Sequence, residues 1–330
     1  MRNSRALAVA GACLLLAACG TTSENSGTPG AQGAPSSCGP DGQYTIGMSQ
    51  ANVAEPYRQR MDDDIRAAAA AVPQFTVNFA DAAQDNSKQV EQVDNFLTQQ
   101  IDLLIISPNE ATPLTAPVKR AYDKGIPVLV LDRKVDGEAY TSFIGADNVD
   151  IGRQAGEYYK NVLLPEGGKI GELRGLAGST PAKERHDGFV QGIAGSDIEI
   201  VAAQDGDWLR DKGQQQADAI LKANPDIQAI YSHNDPMGEG ARIAAADAGR
   251  GDLPITGIDG LPIESGGLKA VEQGRLSATF IYPTGGAEAI DTAERILIDC
   301  GQVPKTQTLP TKLITQANAA ETYAELNNGS

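Results

Sequence analysis

Short apolar runs alternate with longer amphipathic stretches along most of this chain. The runs LLII at 103–106 and VLVL at 128–131 are typical of buried strands, and another strand is predicted at Thr45–Ser49. The apolar residues within 87–100 recur at the spacing of one helix face, and Ser87 is placed to cap the first turn of that helix. Because continuous apolar strands belong to sheets buried on both faces, the pattern predicts an α/β fold with parallel sheets.

The alternation occurs twice along the chain. After a strand at Phe143–Gly145 a second series begins, and each series has about five βα units. About 290 residues follow the N-terminal segments described next, which is more than one typical domain holds. We therefore expect two α/β halves.

The N-terminus has the features of an export signal. Arg2 and Arg5 precede an apolar run, Ala6–Ala18, that is shorter than the roughly 20 residues a membrane-spanning helix needs. Residues 1–18 are therefore predicted to be a signal peptide. The small residues before Cys19 resemble the lipobox of bacterial lipoproteins, which implies a lipid on Cys19. The alternative is an ordinary signal peptide that contains Cys19.

Residues 19–42 are rich in Gly, Ser, Thr and Pro, a composition that cannot bury a core. They are predicted to be a lipidated flexible tether. No later stretch is long and apolar enough for a transmembrane helix. The predicted location is outside the cytoplasmic membrane, lipid-anchored, at the cell surface or in the periplasm.

Charge and composition exclude some functions. The formal net charge is −16, and loss of Arg2 and Arg5 with the signal makes it −18. Such an acidic chain is not expected to bind nucleic acid. Its two histidines, His186 and His233, lack metal-ligand spacing, so we expect no metal and no cofactor.

Polar residues follow several predicted strands at the point where each strand ends. Ser49, Ser107 and the pair Asp132-Arg133 do so in the first half, and Asn234 and Asp259 in the second. Ligands of open α/β sheets bind outside the carboxyl ends of the strands, so two facing sheets would place these residues in one cleft. The alternative for each Asp or Asn is a helix cap or a turn.

The chemistry of this set favours a polyhydroxyl ligand. Asp and Asn bond hydroxyl groups, and Arg supplies several fixed donors. The rings of Tyr57 and Trp208 offer flat apolar faces on which a sugar could stack.

An ordered set of motifs resembles one family. The motifs are IPVLVLDR at 126–133, GADN at 145–148, GLAGSTPAKERHDGF at 175–189, GDWLRDKG at 206–213, SHNDPM at 232–237 and GIDG at 257–260. Together they resemble the type I, ribose-binding-like periplasmic sugar-binding proteins of ABC importers, over residues 45–315. The resemblance implies two Rossmann-like domains joined by a three-crossing hinge. One lobe would be 41–145 plus 283–310, and the other 146–282 plus 311–330.

The resemblance also implies that the lobes of a monomer close around one monosaccharide. The first loop departs from the ribose pattern, however, and Glu55 and Arg58 make it look like the galactofuranose-binding branch. The ligand is then a hexose or a pentose, with a furanose form among the candidates. The predicted ligand-binding residues are Ser49, Gln50, Glu55, Tyr57, Arg58, Ser107, Asp132, Arg133, Arg185, Trp208, Asn234, Asp259 and Tyr282.

The family topology places Cys38 and Cys300 together, at the end of one lobe away from the cleft. The resemblance therefore implies a Cys38–Cys300 disulfide, which an exported protein can form.

Three other functions were compared with transport. An enzyme is not expected, because the chain has no GxGxxG after its first strand, no Walker loop and no nucleophile elbow. A repressor with a related core would carry a DNA-binding motif where this chain has its signal. The remaining alternative to delivery to an ABC transporter permease is a ligand-presenting accessory of a membrane receptor, binding a sugar or an autoinducer. The sequence does not separate these two.

Overall fold

The computed structural model describes residues 38–328, so the predicted signal (1–18), Cys19 and most of the tether lie outside the described residues. The strands, in chain order, are β1 (Tyr44–Gln50), β2 (Phe75–Asp81), β3 (Leu103–Ile106), β4 (Val128–Leu131), β5 (Ser142–Ala146), β6 (Gly168–Arg174), β7 (Ile198–Asp205), β8 (Ala229–Ser232), β9 (Ile255–Thr256), β10 (Ala278–Ile281), β11 (Thr306–Leu309) and β12 (Lys312–Thr315).

The helices lie between these strands. They are α1 (Pro56–Ala70), α2 (Asn86–Thr98), α3 (Ala111–Asp123), α4 (Asn148–Tyr158), α5 (Thr180–Ile193), α6 (Arg210–Ala223), α7 (Asp235–Asp247), α8 (Gly267–Glu272), α9 (Gly286–Leu297) and α10 (Ala319–Asn328). A π-helical turn, Tyr159–Leu163, extends α4.

The strands form two six-stranded sheets. The first has the order β11-β5-β4-β3-β1-β2 and is parallel throughout. The second has the order β12-β10-β9-β8-β6-β7, and only its edge strand β12 is antiparallel. We call the first sheet and its helices the N-terminal lobe, and the second the C-terminal lobe. The predicted α/β class with two parallel-rich sheets is confirmed.

The chain passes between the two sheets three times. It crosses after β5, again after β10, and finally between β11 and β12. The last crossing consists of only Pro310 and Thr311. Three crossings agree with the predicted hinge.

Close helix packing places one part of the site. Helices α4 and α5 approach so closely that a Cβ on Gly152 would stand 2.9 Å from the Phe189 nitrogen. A Cβ on Gly188 would stand 2.9 Å from the Arg153 nitrogen. This contact places the start of α4 beside the middle of α5, where Arg185 lies.

The described end of the tether is attached to the N-terminal lobe. The Cys38–Cys300 disulfide is present, with a Cα–Cα distance of 5.5 Å, as predicted. The Gly39 nitrogen donates a hydrogen bond to the Leu297 carbonyl (2.8 Å), and the Tyr44 hydroxyl donates to the Gly39 carbonyl (2.7 Å). Residues 38–42 therefore belong to the folded lobe, although the sequence placed them in the tether.

Residues 38–328 lack a membrane-spanning helix and a metal site. No helix there has the length and apolar character needed to cross a membrane. No group of His, Cys, Asp and Glu in the same range is arranged to hold a metal ion.

Candidate functional site

The carboxyl ends of the strands in the two lobes face each other across a small buried cavity, which we call the inner cavity. Its volume is about 20 Å³. Ten of the thirteen predicted binding residues line it, together with Pro181, which the sequence did not single out. The lining residues are Glu55, Tyr57, Arg58, Asp132, Arg133, Pro181, Arg185, Trp208, Asn234, Asp259 and Tyr282.

Three predicted residues do not line the cavity but lie behind its wall. The Ser107 hydroxyl accepts a hydrogen bond from the Arg58 guanidinium (2.6 Å) and so holds that side chain in place. Ser49 donates to Gln92 (3.0 Å), and Gln50 donates to Asp62 (2.8 Å). All three are buried and have their polar atoms engaged within the N-terminal lobe, and a direct contact of any of them with a ligand stays a prediction.

Asp132 lies between two arginines. Its carboxylate is 3.9 Å from Nε of the adjacent Arg133. The short ion pair is with Arg58, from helix α1, at 2.6 Å. Burial raises the pKa of Asp132, but the charges of Arg58 and Arg133 outweigh this and leave that pKa below its ordinary value. Asp132 is therefore ionised in the folded protein.

Arg133 has donors available in the cavity. One of its terminal nitrogens donates to the Asn109 carbonyl (3.1 Å), and another lies 3.7 Å from the Glu55 carboxylate. Its Nε is buried without a hydrogen-bond partner. Burial, followed by the charge of Arg58, lowers the pKa of Arg133 to about 10, so the group stays charged at neutral pH. A buried donor without a partner costs about 1–3 kcal/mol, which an acceptor on a ligand would recover.

Two guanidinium groups lie near the ring of Trp208. The Arg133 and Arg185 groups each lie 5.4 Å from its ring centre, within cation–π range. The indole Nε1 is buried and has no hydrogen-bond partner. The prediction that this ring stacks on a sugar stays a prediction, and the unpartnered N–H adds a donor that the sequence did not indicate.

A hydrogen-bond network joins the two lobes beside the cavity. Arg185 of α5 donates to Asn148 (2.8 Å), and Asn148 donates to the Tyr282 hydroxyl (3.2 Å). The Tyr282 hydroxyl in turn donates to Asp132 (2.7 Å) in the N-terminal lobe. Asn148 and Tyr282 both lie at hinge crossings. Sequence reasoning quoted Asn148 within a crossing motif but did not recognise it as part of the site.

Asn234 acts as a helix cap, one of the local roles that the sequence left open for it. Its side-chain oxygen accepts from the Met237 nitrogen (3.1 Å) and caps α7, while its amide donates to the Trp208 carbonyl (3.0 Å). Asn234 therefore caps a helix and lines the cavity at once. One amide hydrogen and one lone pair remain free for another bond.

Unlike Asn234, the Asp259 side chain has no hydrogen-bond partner among the described residues. Its carboxyl group, in a residue only 7% exposed, makes no side-chain hydrogen bond or ion pair with any residue in 38–328. Burial and the nearby charge of Asp235 raise the pKa of Asp259 well above its ordinary value. Burial likewise raises the pKa of Asp235 to about 6, although Asp235 accepts bonds from Thr279 and Gly260. Asp259 is thus a buried carboxyl group that is free to bond a ligand.

The two histidines support the wall beneath Arg185. His186 and His233 both bond the buried Glu172, at 2.9 and 3.0 Å. The His233 carbonyl accepts a hydrogen bond from Arg185. Burial raises the pKa of Glu172, but the bonds from His233 and His186 outweigh this and leave it lowered.

The comparisons with known proteins agree with this geometry. A periplasmic binding protein domain matches residues 46–299. The ribose import binding protein of Escherichia coli is 35% identical over 66% of this chain and 73% of its own. The galactofuranose-binding protein of Escherichia coli is 31% identical over 80% of this chain and 85% of its own. The solved fructose-binding periplasmic domain of a hybrid two-component system has a TM-score of 0.84 and 40% identity, covering 87% of this chain and 95% of that one.

This chain belongs to the type I periplasmic sugar-binding proteins of ABC importers. The resemblance inferred from the ordered motifs is confirmed. The relatives named above are binding proteins.

Three cavity residues of this periplasmic binding protein have unusual backbone. The φ angles of Asp132, Trp208 and Asp259 are +65°, +69° and +138°, a region that L-residues rarely adopt. Such conformations cost about 1–3 kcal/mol each and persist where the surrounding structure enforces them, which is common at binding sites. No sequence pattern indicates this backbone, because none of the three residues is a glycine.

The inner cavity of this periplasmic binding protein holds charged groups of both signs. The guanidinium groups of Arg58, Arg133 and Arg185 stand among the carboxyl groups of Glu55, Asp132 and Asp259. A charged ligand would add a further buried charge to this set, and a buried charge without a partner is costly. The arrangement suits a neutral molecule with many hydroxyl groups.

Proposed function

We propose that this protein binds a monosaccharide between its two lobes, outside the cytoplasmic membrane, and delivers it to an ABC transporter permease. The observation that carries the proposal is the cavity, where charged side chains from both lobes converge. Within residues 38–328, Arg133 Nε and Trp208 Nε1 are buried without a partner, and the Asp259 carboxyl group makes no side-chain bond. These groups can form hydrogen bonds with hydroxyl groups of a sugar. An analogue that lacks one of these hydroxyls would leave a buried polar group without a partner and would therefore bind more weakly.

The sugar we propose is a neutral hexose that can adopt a furanose ring. Relatives are named for binding ribose, galactofuranose and fructose. Arg58 occupies a position at which the ribose pattern has an aromatic residue, and its guanidinium reaches the cavity. The additional donor favours a ligand with more hydroxyls than ribose.

Binding would proceed with lobe closure. A cavity of about 20 Å³ holds about one water molecule, so a sugar must enter while the lobes are apart. Because contacts come from both lobes, the bound sugar has a higher affinity for the closed arrangement and shifts the protein toward it. The closed form is then the one that the permease recognises.

The membrane attachment in this proposal rests on the sequence alone. Lipid on Cys19 and a flexible segment to residue 37 would hold the folded lobes, as a monomer, near the permease.

One finding favours a second candidate function. The relative with 40% identity is the periplasmic domain of a hybrid two-component system, a sensor. The same sugar-bound closed form could present itself to a membrane receptor, so the ligand-presenting accessory remains the alternative. The two differ in partner and share the sugar site.

The test is a thermal-shift screen of residues 37–330 against pentoses and hexoses, with ribose, fructose and galactofuranose included. A ligand that binds only the native state raises Tm by mass action. The expected result is a rise with one monosaccharide, and a loss of about ten- to hundredfold in its affinity in Arg133→Ala. Arg120→Ala, on the exposed face of α3, is the matched control. A ligand-free, folded protein that responds to no sugar would refute the proposal.

A further inference from the structure

A second cavity lies directly beside the inner cavity. Its volume is about 280 Å³, close to the lower end of the range of about 300–1,000 Å³ for small-molecule pockets. Glu55, Trp208 and Asp259 line both cavities, so the two spaces share a wall. We call the larger one the outer cavity.

The outer cavity persists while the lobes touch. Across the rim of the cleft, the Ala111 nitrogen donates to the Gly178 carbonyl (2.9 Å) and Lys134 pairs with Glu184 (2.6 Å). The inner cavity is nearly filled in this arrangement, yet the space beside it stays open. A sugar needs more room among the arginines than this arrangement leaves, so the lobes would stand slightly farther apart with sugar bound, and the outer cavity would stay open beside it.

The shared wall carries polar atoms that have no partner. Trp208 is 3% exposed, and its indole Nε1 donates to nothing in residues 38–328. The Asp259 carboxyl group is likewise free of side-chain bonds, as described above. One donor and one acceptor thus stand at the junction of the two cavities, where a bridging oxygen and its neighbouring hydroxyl would satisfy both.

Carboxyl groups outnumber guanidinium groups in the lining. Four carboxyl groups line the outer cavity, from Glu55, Asp235, Glu239 and Asp259, with the guanidinium of Arg210; of the four, Glu239 is also paired with Arg242 and Arg275 behind the lining. A phosphate or carboxylate would be repelled there, whereas hydroxyl groups can donate to carboxylates. Apolar surface from Leu261 and neighbouring prolines matches the C–H face of a sugar ring.

We propose that the outer cavity is a subsite for a second, neutral sugar residue, so that the protein takes disaccharides as well as the monosaccharide. This rests on the proposed function, since the first residue must bind in the inner cavity. It predicts that phosphorylated sugars are rejected.

The experiment uses calorimetry on the folded protein with the monosaccharide found in the screen. It is compared with its 6-phosphate and with disaccharides that link it through the anomeric oxygen or through another hydroxyl; for fructose these are sucrose, turanose and isomaltulose. The expected result is that at least one disaccharide binds within about tenfold of the monosaccharide, and that the phosphate does not bind.

Two variants fill the outer cavity from opposite lobes. Ser265→Trp acts from the C-terminal lobe and Ala54→Trp from the loop before α1; both positions are exposed, so the fold tolerates a larger side chain. Each should lower disaccharide affinity by about tenfold or more and leave monosaccharide affinity unchanged. Ser265→Ala, which adds no volume, should affect neither.

The outcomes separate the two proposals. If the monosaccharide binds and every disaccharide fails, or if disaccharides bind equally to Ser265→Trp and Ala54→Trp, the subsite is refuted and the monosaccharide function stands. If no sugar binds at all, the proposed function itself fails. Tight binding of the 6-phosphate would contradict the charge argument.

Discussion

At the scale of single residues, the buried pair of Asp235 and Asp259 has the most direct thermodynamic consequence. Asp259 gains no hydrogen bond from the protein, and burial together with the Asp235 charge holds its pKa well above the ordinary value. A carboxyl group whose pKa is raised on folding lowers stability once it ionises. The protein thus keeps a destabilising group where the proposed ligand would meet it.

Replacing Asp259 by Asn should raise stability in a pH-dependent way. Near pH 4, about the ordinary pKa of aspartate, the folded acid is neutral and the unfolded one only about half ionised, so the variant and the parent should differ little in Tm. As pH rises toward 8 the parent loses stability through both Asp259 and Asp235, whereas the variant loses it through Asp235 alone, so the variant's advantage should grow. Each kcal/mol relieved corresponds to about 2–4 °C in Tm. Calorimetric melts at pH 4, 6 and 8 measure this difference.

The matched control is Asp123→Asn, an exposed residue paired with Lys119. Its difference in Tm from the parent should stay small across the same pH range. A variant at Asp259 whose advantage is constant or shrinks with pH would show that the carboxyl group is not perturbed as described.

The sequence allows us to predict which polar residues lie at the strand ends, but not which residues they pair with. Asp132, Arg133, Asn234 and Asp259 follow strands, and topology alone brings strand ends together. The pairing of Asp132 with Arg58 depends on how α1 lies across the sheet, which no local pattern encodes. Pro181 and Asn148 were missed because they belong to helix starts, where such residues usually have a purely local role.

At the scale of elements, the loop before α5 controls how closely the lobes approach. Gly178 of this loop meets the N-terminal lobe, and a Cβ there would stand 2.6 Å from Cδ of Glu110. The Glu110 side chain is held by Asn86 (2.7 Å), and the backbone bond from Ala111 leaves little room for adjustment. Neither lobe alone needs glycine at this position.

A branched side chain at this position should therefore oppose closure without unfolding either lobe. Gly178→Val is expected to weaken sugar binding by about tenfold, because the binding-competent closed state becomes less populated. With sugar present, small-angle scattering should give a larger radius of gyration than for the parent. Tm without sugar should change little.

Gly251→Val serves as the comparison, since a Cβ at Gly251 meets nothing closer than 4.0 Å. Equal affinity and equal compaction in both variants would mean that Gly178 does not limit closure.

The elements themselves were largely predictable, with informative exceptions. The apolar runs at 103–106 and 128–131 marked β3 and β4 to the residue, because buried strands need such runs. Strand β11 was missed: its sequence is TQTL, an exposed edge strand that requires no apolar pattern. Helix α2 begins with Asp85 as its cap, not Ser87, because the Asp85 carboxylate reaches the nitrogens of Ser87 and Lys88.

At the scale of the whole molecule, one covalent bond closes almost the entire described chain. Cys38 and Cys300 are 262 residues apart in sequence, and the enclosed loop contains the whole C-terminal lobe except β12 and α10. The bond lies at the amino end of β1, away from the carboxyl edge that holds the site. Its effect should fall on stability and not on ligand affinity.

Replacing both cysteines by serine should lower the free energy of unfolding by about 2–4 kcal/mol. Urea unfolding of the oxidised parent and the double variant measures the loss, and calorimetry should show unchanged sugar affinity. Reductant should weaken the parent to a similar degree and leave the double variant unaffected. A parent that is insensitive to reductant while the variant is destabilised would point to serine substitution itself.

The left-handed backbone at Asp132, Trp208 and Asp259 also limits how this cleft can change its ligand over evolution. Only glycine, asparagine and aspartate adopt that backbone readily, so few replacements at these positions keep the fold intact. Tyr57, Arg58, Arg133 and Arg185 have ordinary φ and accept a wider range of side chains. New sugar preferences would therefore arise by exchange of the aromatic and basic residues around an almost invariant set of strained positions, and a mutant library confined to the former would retain more folded members.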